Sequence, residues 1–247
     1  MRRRVVIVSR LLLWSVGLVV ASNTPATELE NYSGTITNLH QSVIPLRVPT
    51  SQLIGGHRHH HRENCSATVI RSKPLTLLSA WHCFDGADDL SRPPEIFVNG
   101  QWLTARLVAT GGSMQADWAI LTAQPFNGDK RDDLLPLPVL TGNESSAAAV
   151  INVAGYPNRR YEQSALWVSD RCPLTGTTHQ WIGAACVAAK GVSGGPALME
   201  TDAGWFVIGV VSAQRHDDTL LIAPLPAAAR SYWPTTTQLE GPREDVR

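Results

Sequence analysis

The chain has 247 residues, 21 Lys+Arg balanced by 21 Asp+Glu, and a hydrophobic content of 43%. A net charge of zero with no basic stripe excludes the electrostatic footprint of a nucleic-acid binder, and the composition excludes a disordered or collagen-like chain. No internal repeat and no extended low-complexity run interrupts it, so the length suits one domain of two halves or two small domains.

Residues 1–21 read as a secretory signal peptide. Arg2, Arg3 and Arg4 make the basic start, Leu11 to Val20 the apolar stretch, and Val19 and Ala21 the small residues before a cleavage site. A membrane anchor is the alternative, but Arg10 keeps the apolar run short of the about 20 residues that a spanning helix needs. The expected location is secreted or periplasmic, with no stable membrane span after cleavage. Residues 22–50 are polar, contain Pro25, Pro45 and Pro49, show no helical period, and read as a loose leader. The run from Gly55 to Arg62 holds His57, His59, His60 and His61. Histidines this dense can bind metal. Arg58 and Arg62 stand among them, and no acidic residue precedes Glu63, so a solvated surface loop is expected, with metal binding incidental at most.

From Cys65 onward the pattern is one of short strands. Candidates are 66–70, 75–80, 96–98, 101–109 and 117–122 in the first half. Asn99-Gly100 between two of them is a strong hairpin signal, because Asn-Gly suits a type I′ turn. Residues 123–136 carry Pro, Gly, Asn and Asp and read as the linker between halves. Second-half candidates are 137–140, 147–154, 164–169, 181–187, 196–199, 205–212 and 220–223, with a short helix over 226–233 and a disordered tail over 234–247. Many short strands separated by turn signals mean a β-barrel or sandwich.

Three motifs carry chemistry. Gly191-Val192-Ser193-Gly194-Gly195-Pro196 frames a serine with glycines, the setting of an exposed hydroxyl beside N–H donors. Taken alone, it also reads as a Gly-rich turn between strands. Ser79-Ala80-Trp81-His82-Cys83 ends a strand with a histidine, and Asp117-Trp118-Ala119-Ile120-Leu121 opens one with an aspartate. Asp85, Asp88 and Asp89 are rivals of Asp117 by type, but none precedes a clean apolar strand. The order His82, Asp117, Ser193 is that of chymotrypsin-type enzymes, not of subtilisins or α/β-hydrolases. Cys65, Cys83, Cys172 and Cys186 form an even set with three connectivities, fit an exported protein, and lack the C-x-x-C spacing of structural zinc.

On these motifs the chain resembles the chymotrypsin/trypsin-like serine peptidases, in their exported bacterial branch, over residues 40–233. The stretches are similar to that family's T-A-A-H-C, D-I-A-L-L and G-D-S-G-G-P. The resemblance implies an all-β fold of two six-stranded antiparallel barrels with a short C-terminal helix, the peptidase domain spanning 51–233. It implies a serine endopeptidase that works through an acyl-enzyme on a protein or peptide substrate, as a monomer, with no cofactor and no catalytic metal. Ser193 would be the nucleophile, His82 the base, Asp117 its orienter, and the N–H groups of Gly191 and Ser193 the oxyanion hole. It also implies the disulfide Cys65–Cys83, and with it Cys172–Cys186, each adding about 2–4 kcal/mol.

Two departures from the family are informative. Val192 stands where the family has an aspartate that pairs with a newly cut N-terminus, so Ile54-Gly55-Gly56 has no partner as an activation site. At the expected substrate pocket, Val187 and Ala188 offer no countercharge for Lys or Arg, Ser212 sits on the wall strand, and Gln214 falls at the entrance. An uncharged, small side chain before the scissile bond is expected there. Gly155-Tyr156-Pro157 resembles the glutamyl-endopeptidase branch, but Val211 replaces the pocket histidine of that branch. A non-catalytic, peptide-binding member of the fold is the alternative, favoured by Val192 and opposed by the complete triad. A third reading, a metal-binding envelope protein, rests on residues 57–61 alone.

Overall fold

A computed structural model describes residues 36–87, 92–123, 133–140, 150–157, 165–202 and 204–234. The expected signal peptide over 1–21, most of the expected linker and residues 235–247 of the expected tail lie outside the described residues.

The first barrel comprises β1 (Val43–Ile54), β2 (His57–Arg71), β3 (Thr76–Ser79), β4 (Glu95–Val98), β5 (Gln101–Thr110) and β6 (Ala119–Ala123). Its strands close in the order β1-β2-β3-β6-β5-β4. The second comprises β7 (Val150–Gly155), β8 (Trp167–Val168), β9 (Cys172–Thr177), β10 (Ile182–Ala185), β11 (Pro196–Thr201), β12 (Gly204–Gln214) and β13 (Thr219–Pro224). Six of these run β11-β12-β13-β10-β9-β7 and close through β11–β7 pairing, with β8 added along β7. A one-turn helix, α1 (Ala227–Arg230), ends the described chain. The fold is thus two closed six-stranded antiparallel barrels and a short C-terminal helix.

The buried strands are packed on both faces, with 43–46 and 65–70 buried throughout. Ile44, Leu46 and Val48 of β1 and Cys65, Ala67 and Val69 of β2 face the same core, as register partners must. The Asn99-Gly100 turn forms with both residues at positive φ, 49° and 81°, as a type I′ hairpin requires.

Several elements differ from the sequence reading. β1 starts at Val43, inside the segment read as a leader, and Leu39 before it is already in the core. Pro45 and Pro49 hid this strand. They are tolerated because β4 pairs only with Leu46 and Arg47, so β1 is otherwise an edge on that side. The histidine-rich run is not a loop but the first part of β2, in a long hairpin that turns at Gly55-Gly56, φ 58° and 83°. β9 was missed because Pro173 and Gly176 mask it. Residues 137–140 form no strand. Leu137 N–H donates to Val69 of the first barrel at 2.9 Å, and Pro138 carbonyl accepts from Val207 of the second at 2.8 Å. The C-terminus also returns to the first barrel, where Arg71 donates to Tyr232 carbonyl at 2.9 Å. Among the described residues, no helix is long and apolar enough to cross a membrane.

Candidate active site

The antiparallel pairing of β3 and β6 brings two motif residues together. Ser79 stands opposite Ala119. The chain leaving β3 therefore passes the chain entering β6, and His82 meets Asp117. His82 lies in a 3-10 turn, Trp81–Phe84, whose Cys83 is disulfide-bonded to Cys65 of β2, with the Cα atoms 6.4 Å apart.

Asp117 is fully buried. A bare carboxylate there would cost several kcal/mol, and three donors offset that. The backbone N–H of His82 donates to Oδ1 at 2.8 Å. His82 Nδ1 donates to Oδ2 at 2.8 Å. The Ser212 hydroxyl donates to the same Oδ2. Holding the proton on Nδ1 leaves Nε2 of the neutral ring as the acceptor. The His82 side chain is 25% exposed, and its Nε2 lies 4.0 Å from Cys83 Sγ.

Ser193 is set by the turn before β11. Its carbonyl accepts from Ser66 N–H at 2.7 Å, and Ser66 follows Cys65. A short path of bonds thus runs from His82 through Cys83, Cys65 and Ser66 to Ser193. A second path runs from Asp117 through Ser212 to Val211, which exchanges backbone hydrogen bonds with Gly194 and Gly195, each at 2.9 Å. Both paths cross from one barrel to the other.

The N–H groups of the turn divide into two sets. Val192 N–H goes to Ala189, Gly194 N–H to Val211, and Gly195 N–H to Val192. Those of Gly191 and Ser193 donate to no described residue, and Gly191 is buried at φ 99°. Two uncommitted donors beside a serine hydroxyl are what a developing oxyanion needs.

Close packing fixes the turn. A Cβ on Gly194, which has φ 82°, would fall onto Ser79 Oγ and Ser66 carbonyl oxygen. One on Gly155 would lie 2.8 Å from Ser66 Oγ and 2.9 Å from Val192 Cα. Val192 is fully buried in the core of the second barrel, with Val153, Ala197 and Val211. The position is an apolar one. Ile54 lies far along the β1–β2 hairpin, half-exposed beside its turn.

Ser66 is a site residue that sequence reasoning missed. Fully buried, it donates through Oγ to Gly191 carbonyl at 2.8 Å and accepts there from Tyr156 N–H at 2.8 Å. No local pattern marks it, because its partners lie 125 and 90 residues away. Burial also raises the phenol pKa of Tyr156.

Ser212 is buried, with its hydroxyl on Asp117. Val187, expected at a pocket base, is 58% exposed. Gln214 accepts from Ala188 N–H at 3.1 Å and donates to Cys186 carbonyl at 3.2 Å. Cys186 is disulfide-bonded to Cys172, with the Cα atoms 5.4 Å apart. The ligand atoms of Cys65, His82 and Cys83 lie within 4.8 Å of one another. Both sulfurs are in the disulfide, so neither can supply a thiolate to a metal.

Comparison with known proteins agrees with this fold. A family model described as a trypsin-like peptidase domain matches residues 65–210. A thermostable serine protease, AL20, from an extremophilic microorganism superposes with a TM-score of 0.59 at 16% identity, over 78% of this chain and 95% of its own. The protease Anisep from Arthrobacter nicotinovorans gives 0.52 at 19%, over 74% and 90%. Likeness at these identities speaks for the fold alone. No curated protein matches the sequence significantly.

Proposed function

Because the chain belongs to the trypsin-like peptidase family, we propose that it is a secreted or periplasmic serine endopeptidase that cleaves peptide bonds through His82, Asp117 and Ser193. The observation that carries this reading is the buried Asp117 carboxylate bonded to both the ring and the backbone of His82. Two disulfides and the signal-like residues 1–21 support the location.

Ser193 Oγ attacks the scissile carbonyl carbon and gives its proton to His82 Nε2. The imidazolium that forms is stabilised by Asp117 through Nδ1–H, and the carbonyl electrons move to oxygen, where Gly191 and Ser193 N–H groups receive them. Collapse of that intermediate expels the amine, which takes the proton from Nε2 and leaves an acyl-Ser193 ester. Water then attacks the ester with His82 again as base, releasing the acid and restoring Ser193. With Val192 in a dry core, the turn needs no buried ammonium from a cut before Ile54. The enzyme acts as a monomer, with no cofactor, on uncharged, small side chains before the scissile bond.

Ser193→Ala tests the assignment. Peptide and ester hydrolysis should fall by about 10⁴–10⁶ in kcat with the fold intact, and labelling by a serine-directed phosphonate should vanish. Substantial hydrolysis by a clean Ser193→Ala preparation would remove the catalytic role.

A further inference from the structure

The histidine-rich run lies on a regular strand, and that sorts its side chains. Alternation along β2 puts His57, His59, His61 and Glu63 on one face and Arg58, His60 and Arg62 on the other. The register with β1 is unbroken from Val43↔Thr68 to Ile54↔His57, so no bulge disturbs the alternation. A contact fixes the faces independently: Arg58 donates to Ser51 Oγ at 2.8 Å, and Ser51 stands opposite His60. The two arginines that argued against a metal therefore point away from the stripe of three histidines.

The histidine face continues that of Val48 and Cys65, at the open end of the first barrel. The side chains of His57, His59, His61 and Glu63 make no hydrogen bond or ion pair with another described residue, and His61 is half-buried. Thr50 shares this face, directly opposite His61. It is 4% exposed, and its hydroxyl has no hydrogen-bond partner among the described residues. Same-face neighbours on a strand are about 6.6 Å apart at Cα. Rotation about χ1 and χ2 lets two such imidazoles close on one ion at about 2.0–2.1 Å. Neutral imidazole is the ligand that late transition metals take, and a carboxylate two residues on adds charge.

We propose that His59 and His61, backed by Glu63, form a surface site for a divalent late-transition-metal ion such as zinc. The site is distinct from His82, and it does not depend on the peptidase mechanism.

Calorimetric titration of the untagged full-length protein with zinc chloride tests it. Saturable one-to-one binding at micromolar zinc is expected. His59→Ala and His61→Ala should each weaken it at least about tenfold, while His60→Ala, on the arginine face, should change it less than about twofold. Circular dichroism of each variant keeps folding separate from binding. No saturable heat up to millimolar zinc, or a His60→Ala loss as large as that of His59→Ala, overturns the site.

Discussion

The two barrels hold their shares of the active site by different means. The first fixes His82 and Asp117 with directed polar contacts: the ring and backbone N–H of His82 both donate to one buried carboxylate, and Ser212 of β12 adds a third donor from the other barrel. The second fixes Ser193 with shape: glycines pressed against the first barrel, and Val192 sunk in an apolar core. A polar device can be changed in charge while its volume is kept. A packed device cannot accept even a methyl group. The first half should therefore fail in chemistry before it fails in folding, and the second in the reverse order.

Asp117→Asn should produce the largest effect. The side chain keeps its shape, but one of its two acceptor oxygens becomes an NH2 that faces a donor, and the amide favours the wrong histidine tautomer. A kcat loss of about 10⁴-fold is expected. Thermal unfolding, measured in parallel, should shift by only a few degrees. Collapse of the fold together with the activity would erase the contrast between the halves.

Gly194→Ala is the matching change in the second half. A positive φ costs a non-glycine residue about 1–3 kcal/mol, and overpacking adds about 1–3 kcal/mol. The alanine methyl has nowhere to go, since Ser79 Oγ and the Ser66 carbonyl occupy its place. Denaturant unfolding should show a loss of about 2–5 kcal/mol, with activity falling because the turn is displaced. Full stability in this variant would show that packing does not set the position of Ser193.

The same contrast explains what could be read from the sequence. The barrels were legible because short apolar runs and the turn signals between them, Asn99-Gly100 above all, are local. Ser193, His82 and Asp117 stood out as motifs, each in a local setting of glycines or strand ends. Residues that act through distant partners left no such trace. Ser66 is one serine on a strand, and only the fold shows it bound to Gly191 and Tyr156. Ser212, read only as part of a wall strand, also bonds Asp117 through its hydroxyl, 95 residues away. β1 was lost to its prolines, whose usual meaning fails on a strand that is mostly an edge. The histidine run looked like a loop because polar residues on both faces give no alternation of hydropathy. The tip of the hairpin is exposed on both strands, while Thr50 and Ser51 nearer its base are buried.

Gln214 offers the smallest and most selective test. Ser212, bonded to Asp117, leads along β12 to Gln214, while Cys186 to Ala188 leads towards Gly191. These two segments leave the active site side by side, and the Gln214 amide spans them, joined to Cys186 carbonyl and Ala188 N–H. A side chain bridging that gap narrows what can enter between the segments. Both hydrogen bonds are exposed, so each contributes at the low end of about 0.5–1.5 kcal/mol, and Gln214→Ala should scarcely change the unfolding midpoint. Its effect belongs in selectivity. With the bridge gone, a large apolar group before the scissile bond can bury more surface, worth about 0.8 kcal/mol per added CH₂. The ratio of kcat/KM for Leu or Phe over Ala at that position should rise about tenfold, which is about 1.4 kcal/mol. Arg and Lys should stay poor, because Val187 and Ala188 still provide no countercharge. A peptide library varied at this one position, run on both proteins, measures the ratio. An unchanged profile would mean that the Gln214 bridge lies outside the path of the substrate, and that specificity is set elsewhere in the second barrel.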